Sequence, residues 1–183
     1  MHGTVSPSRP RLNRALGALS AALYAAFRFR ELLPAHHAHH DHAGTPGADP
    51  DFHDGQRTGF VAWFLTFMRR YLRVRQIIIL TLVFQVLHHG LGLPLQNLLL
   101  FWVAPSLAST IQLFGFGTYL THRVPEGGHT NPHNARTVDL PVWLSLLTCY
   151  HFGYHEEHHE SPGTPWWRLP AARRAKRAAV PAA

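Results

Sequence analysis

Apolar residues come in blocks of different length and period, separated by polar stretches dense in histidine. Residues 12–33 are rich in Ala and Leu and read as one helix. Its uninterrupted apolar part, 15–27, contains Gly17 and Ser20 and falls short of the ~20 residues that cross a bilayer, so it is expected to pack on a membrane or lie along it. Residues 36–53 are polar and broken by Gly44, Pro46, Gly47 and Pro50, the pattern of a helix end running into a loop. In residues 59–71, Phe60, Trp63, Phe64, Phe67 and Met68 recur at helical spacing, and the block ends in Arg69, Arg70, Arg73 and Arg75. That is an amphipathic interfacial helix with a basic end.

Two blocks are of spanning length: residues 76–93, interrupted by His88 and His89, and residues 97–120, which are apolar almost throughout. Gly90, Gly92 and Pro94 lie between them without a Lys or Arg, whereas the outer ends carry the arginines of 69–75 and Arg123. By the positive-inside rule this is a helical hairpin with both open ends in the cytoplasm. Residues 122–139 are loop-like, and residues 140–154 are apolar and lead into a second histidine-dense stretch, so both such stretches fall on one side. Beyond Pro170 the residues Arg173, Arg174, Lys176 and Arg177, interspersed with Ala, have no core to build and predict a disordered tail able to touch anionic lipid. The expected fold is all-α: an integral membrane helical bundle with one transmembrane hairpin and interfacial helices over 1–170, and a basic tail over 171–183.

Composition changes this picture in one respect. Sixteen histidines stand against ten acidic residues, so the chain uses imidazole for something. The formal charge of +7 would suit nucleic acid, but the arginines sit beside apolar blocks and in the tail, which suits a membrane edge and no nucleic-acid partner. A single cysteine, Cys149, excludes an internal disulfide and any Cys-rich zinc or iron–sulfur site made by this chain alone. The polar, Pro-containing residues 1–14 are no signal peptide, and the chain opens as though in mid-sequence.

The histidines are patterned. His36-His37-Ala38-His39-His40 and His155-Glu156-Glu157-His158-His159 share the spacing His-x-x-His-His. Positions i, i+3 and i+4 of a helix share a face, so His36, His39 and His40, and likewise His155, His158 and His159, are expected to converge on one shared centre that can hold two metals. Imidazole binds iron, copper, zinc and nickel, so the ligands alone do not choose the metal. One such tract by itself reads more readily as a loose, solvent-exposed segment. Two tracts of identical spacing on one side of a membrane hairpin read as a metal site. His122, directly after the second span, is a further candidate ligand that competes with a helix-capping role. His133 and His151 are weaker candidates, and His88 and His89 sit at the far end of the hairpin. Asp41, Asp49, Asp51, Glu156, Glu157 and Glu160 are candidates to orient ligand imidazoles or are solvated. Trp166, Trp167 and Arg168 read as an interfacial anchor.

Several stretches carry a resemblance: Met1-His2-Gly3, Arg9-Pro10-Arg11-Leu12-Asn13-Arg14, the 36–40 box, Asp49-Pro50-Asp51-Phe52-His53, Phe114-Gly115-Phe116-Gly117-Thr118 leading to His122-Arg123, His133-Asn134-Ala135-Arg136, Phe152-Gly153-Tyr154 before the second box, and Pro165-Trp166-Trp167-Arg168-Leu169-Pro170 after it. Over nearly its whole length the chain resembles the bacterial β-carotene ketolases, membrane enzymes of the His-box desaturase and hydroxylase type. The resemblance implies two iron ions, O2 as co-substrate, an external electron donor such as a ferredoxin, a carotenoid or other apolar lipid substrate, and a place in the bacterial inner membrane. The reaction implied is oxidation of ring carbon 4 of β-carotene by two hydroxylations and loss of water, giving echinenone and then canthaxanthin. It also adds His2 to the ligands, as the second histidine of a family box His-Asp-x-Met-His-Gly.

This sequence departs from the pattern in two ways. The first histidine of that box and two spanning helices expected ahead of it are missing, which reads as an internal start or a truncated gene and predicts an incompetent 183-residue chain. Glu156 stands where ketolases often carry another His. A carotenoid hydroxylase or a fatty-acid desaturase would share the same core. From another class, the sequence also admits a membrane-attached, His-rich metal-binding protein or an inactive remnant.

Overall fold

The computed structural model describes residues 1–179, and among them every regular element is helical; the one β pairing is an isolated bridge between Thr137 and Tyr154. Helix α1 (Pro10–Ala25) opens on Pro10, whose missing N–H is one the first turn of a helix cannot use anyway. It ends at Ala26, which takes a left-handed φ of 53° and donates to Ala22 O at 2.9 Å, while Phe27 N donates to Ala21 O at 3.1 Å. The chain then enters α2 (Phe29–His42). The single helix expected over 12–33 is therefore two. The two pack against each other where Gly17 leaves room for the Phe29 ring, which a Cβ there would approach to 2.5 Å, a contact that hydropathy does not register.

Helix α3 (Phe60–Tyr71) turns by 85° into α4 (Val74–Gly90), whose last turn is π-helical. At this bend Gln76, fully buried, donates through Nε2 to Ala25 O at 3.0 Å and accepts at Oε1 from Arg73 N at 2.8 Å. The break between α1 and α2 is thus fastened to the start of α4. The apolar face of α3 builds the main core. Trp63 packs with Phe52 and Phe114, flanked by Phe60, Phe64, Phe67 and Tyr119, and its indole N–H donates to Asp51 O at 2.8 Å. Arg70, part of the basic end read as a membrane edge, donates instead to the carbonyls of Asp49, Pro50 and Phe52 at 3.1, 2.8 and 2.7 Å and pins the loop after α2.

The turn 91–94 leads into α5 (Leu95–His122), a 28-residue helix with π-helical turns at Leu99–Val103 and Gly115–Tyr119. It is the helix among the described residues that by itself is long and apolar enough to cross a membrane, and α4 reaches that measure only together with α3. Phe84 of α4 stacks on Trp102 of α5 at 6.2 Å between ring centres, pairing the two in the expected hairpin. Leu100, Phe101 and Leu107 are 62–77% exposed, a surface suited to lipid rather than water.

Helices α6 (Val142–Cys149) and α7 (His155–Glu160) are joined by a turn in which Tyr150 and His151 both take left-handed φ, 48° and 64°. After Trp166–Arg168, α8 (Leu169–Ala179) lies against α7. The disordered tail expected from residue 171 is helical as far as Ala179, because its cations meet carboxylates of α7; residues 180–183 lie outside the described residues.

Candidate metal centre

Eight imidazoles meet where α2, the end of α5 and α7 come together with the N-terminal segment. They form two groups: His2, His36, His40 and His158, and His39, His122, His155 and His159. Within each group the ring nitrogens lie within 4.8 Å of one another. In the first, His2 Nε2 is 2.8 Å from His36 Nε2 and 3.2 Å from His40 Nε2, and His40 Nε2 is 3.1 Å from His158 Nε2. In the second, His159 Nε2 is 3.2 Å from His39 Nε2 and 3.1 Å from His155 Nε2, and the His122 ring lies 4.7 Å from those of His39 and His155. The rings of His40 and His159, 4.2 Å apart, join the two groups.

The arrangement differs from a shared centre fed by whole boxes. In each box the i, i+4 pair feeds one group and the i+3 histidine crosses to the other: His36 and His40 join box-two His158, while His155 and His159 join box-one His39. Helix geometry explains this. At 3.6 residues per turn, i and i+4 differ by about 40° around the axis, but i+3 and i+4 differ by about 100°. His133 and His151 fall outside both groups. The His133 ring comes to 6.0 Å of His159, and His151 is buried beside Tyr154 and Trp166.

The surroundings hold two rings in the form that offers Nε2. His39 Nδ1–H donates to Asp49 at 2.9 Å, and Asp49 also accepts from the backbone N–H of Gly44 and Asp51 at 2.9 and 2.8 Å. His122 Nδ1–H donates to Asn134 O at 2.9 Å. Asn134 reaches that position because its side chain donates to Ala43 O at 2.8 Å and lies against Gly44, where a Cβ would come within 2.6 Å of it. Neither Asn134 nor Gly44 is singled out as a site residue in the sequence; the glycine just past α2 is the signal that marks such a contact. Of the candidate carboxylates, Asp49 alone hydrogen-bonds an imidazole, with Asp51 3.8 Å from the same nitrogen, whereas Glu156, Glu157 and Glu160 turn toward α8.

Electrostatics favours neutral rings. Burial first, then repulsion from neighbouring cations, holds His2 at about 4, His40 and His158 at about 3 and His36 at about 2, and drives His155 and His159 far down as well. At His39 burial also opposes the charge, but the Asp49 hydrogen bond and the Asp51 and Asp49 carboxylates outweigh it and raise its pKa. Neutral imidazoles are the metal-binding form. His122 Nε2 is buried within the second group and has no hydrogen-bond partner among the described residues. Nitrogens ~2.0–2.1 Å from a first-row ion such as zinc stand roughly 3 Å apart, the spacing of these Nε2 atoms. The residues present fit a pair of such ions bound by nitrogen alone.

Residues 61–183 match the fatty acid desaturase family model. The chain belongs to the fatty acid desaturase family. It is 45% identical to a β-carotene ketolase of Paracoccus sp. (strain N81106 / MBIC 01143) over 174 residues, 94% of this chain and 70% of that protein. Against a Haematococcus lacustris β-carotene ketolase it is 42% identical over 188 residues, all of this chain and 58% of the relative. Against a Chlamydomonas reinhardtii zeaxanthin 4-ketolase it is 42% identical over 183 residues, 98% of this chain and 40% of the relative. No solved structure matches. The family match begins after α2, so four of the eight imidazoles of this desaturase-family chain, His2, His36, His39 and His40, lie outside it.

Proposed function

We propose that this chain is an O2-dependent carotenoid 4-ketolase that holds one iron ion in each four-histidine group and acts at the cytoplasmic face of the bacterial inner membrane. The observation that carries the reading is the gathering of eight imidazoles into two adjacent all-nitrogen groups at the His122 end of the long apolar helix α5. Bound iron supplies the activation of O2 that an allylic C–H bond demands.

The chain's own residues do the rest. Asp49 and the Asn134 carbonyl fix the tautomers of His39 and His122. Phe152, 4.8 Å from His155 and 5.4 Å from His158 between ring centres, packs against one ring of each group. The exposed apolar flanks of α4 and α5 offer a long hydrocarbon a path from the bilayer. The exposed arginines Arg69 and Arg73, ahead of α4, and Arg123, after α5, favour cytoplasmic placement of the His122 end.

Each hydroxylation takes one O2, two electrons and two protons, inserts one oxygen and releases one water. A second at the same carbon gives a gem-diol, which loses water to the ketone. The electrons beyond those taken from carbon require an external donor, for which a ferredoxin-type protein is suited. Relatives named for β-carotene and for zeaxanthin share the word ketolase, which favours the oxidised ring position over the remainder of the ring as the common element.

The test is to express the chain, and the chain joined to any in-frame codons preceding Met1, in β-carotene-producing bacteria and to separate the pigments. Echinenone and canthaxanthin are expected from at least one of the two forms. Only hydroxylated carotenoids, or unchanged β-carotene from both forms at matched membrane levels, would overturn the assignment.

A further inference from the structure

We propose that α8 is a clamp that holds the second His box in place, with Arg173 as its main positioning residue. Helix α7 is six residues long, and Tyr154 at its N-terminus offers no side-chain cap. A helix this short does not persist on its own hydrogen bonds. It nevertheless supplies three of the eight imidazoles and serves both groups.

The sequence His-Glu-Glu-His-His-Glu divides α7 into two sides. The histidines meet at the metal groups; the glutamates face α8. Lys176 Nζ lies 2.9 Å from Glu156 Oε1 and also pairs with Glu160. Arg173 Nη1 lies 3.0 Å from Glu157 Oε1, and its Nη2 3.1 Å from Asp139 Oδ2.

Glu157 is the informative partner. Its side chain is 2% exposed, and its second oxygen accepts from the Thr137 hydroxyl. A carboxylate that deep is tolerated only while its charge is matched, and removing the guanidinium leaves it uncompensated between two histidines of the box. Arg173 is itself 18% exposed, so this pair is far less screened than an ordinary surface ion pair. Because Arg173 also binds Asp139, it ties α7, the loop preceding α6 and α8 into one unit. The basic residues read in the sequence as a lipid-touching tail are thus drawn into the site's support. A loosened clamp disturbs both groups together, whereas loss of a single imidazole disturbs one.

The inference rests on the metal reading above, and Co(II), whose visible absorption reports its coordination, tests the two separately. The purified full chain in detergent is titrated with Co(II) as wild type, Arg173→Gln, Arg173→Lys, Lys176→Gln and, as a control at an exposed position, Arg174→Gln. His36→Ala and His155→Ala provide the spectra of each group alone. Arg173→Gln is expected to weaken Co(II) binding at both groups by about tenfold, the lower end of the range for residues that support metal ligands. Arg173→Lys recovers most of it, Lys176→Gln shows a smaller loss at both, and Arg174→Gln binds as wild type. Wild-type affinity in Arg173→Gln, or weakening confined to one group, overturns the clamp. Should Arg173→Gln not fold, Lys176→Gln decides, and wild-type binding there overturns it. Absence of Co(II) binding by the wild-type chain would instead refute the metal reading itself.

Discussion

The group of His39, His122, His155 and His159 is buried at all four positions, whereas in the group of His2, His36, His40 and His158 only His158 is buried. Two rings of the buried group are also oriented from behind: Asp49 accepts a hydrogen bond from His39 Nδ1–H and the Asn134 carbonyl accepts one from His122 Nδ1–H. Among the described residues the half-buried group has no such partner; its hydrogen-bonded contacts run between the Nε2 atoms themselves. One plan of ligand sharing therefore produces two unlike sites. The buried site is preorganised by the fold, and the other depends on its ion to hold it together.

The largest expected effect separates the groups by deletion. His155→Ala and His36→Ala each reduce ketocarotenoid formation to background, because positioned ligands tolerate little loss. Each should leave about half the bound iron, and a brief chelator wash should then strip the remainder from His155→Ala but not from His36→Ala. Equal resistance of the two variants would abolish the distinction drawn above.

Next in size is Asp49→Asn, which removes the carboxylate behind His39. Metal affinity should fall by about 10–100-fold at the buried group and stay unchanged at the other, read by Co(II) titration. A uniform loss would mean that Asp49 supports the loop rather than one ligand.

Gly117→Ala probes what the sites share. A Cβ at 117 would lie 3.0 Å from the Phe152 ring, which packs on His155 of one group and His158 of the other. Displacing that ring should cost about 1 kcal/mol in thermal unfolding and lower metal occupancy in both groups. An effect on one group alone would show that Phe152 belongs to that group.

The last comparison is of acid stability without metal. His2, His40 and His158 have pKa values of about 4, 3 and 3 in the fold against an ordinary 6.5. Between those values the unfolded chain binds more protons than the folded one, so stability is full above pH ~6.5 and declines as pH falls toward 4. His39, with its pKa raised beside Asp49, contributes in the opposite sense: its stabilisation is present below pH ~6.5 and is lost as pH rises through its folded value. Replacing Asp49 by Asn should therefore steepen the acid decline, followed by circular dichroism. A flat profile between pH 7 and 4 would contradict the burial of these rings.

Local signals carried much of this protein. Periodicity marked α3, because an apolar face repeats every turn whatever lies opposite, block length marked α4 and α5, and Gly and Pro marked the end of α2. Identical spacing marked both His boxes, the resemblance added His2, and the span's end marked His122; all eight gather in the two groups. What sequence spacing did not decide was the partition of the boxes between groups. A box shows that three imidazoles share one side of a helix, but their divergence of about 100° at i+3 and i+4 matters only once a second box stands opposite. The packing of α1 on α2 brings a phenyl ring over Gly17, and the order of α8 goes with carboxylates 16–20 residues upstream, both contacts invisible to hydropathy. The sequence by itself determined which side chains can bind metal, and where the apolar helices run. Tertiary structure alone decided which imidazoles face which, which of them water reaches, and which charges end as partners, because those properties belong to packed surfaces and not to any one segment.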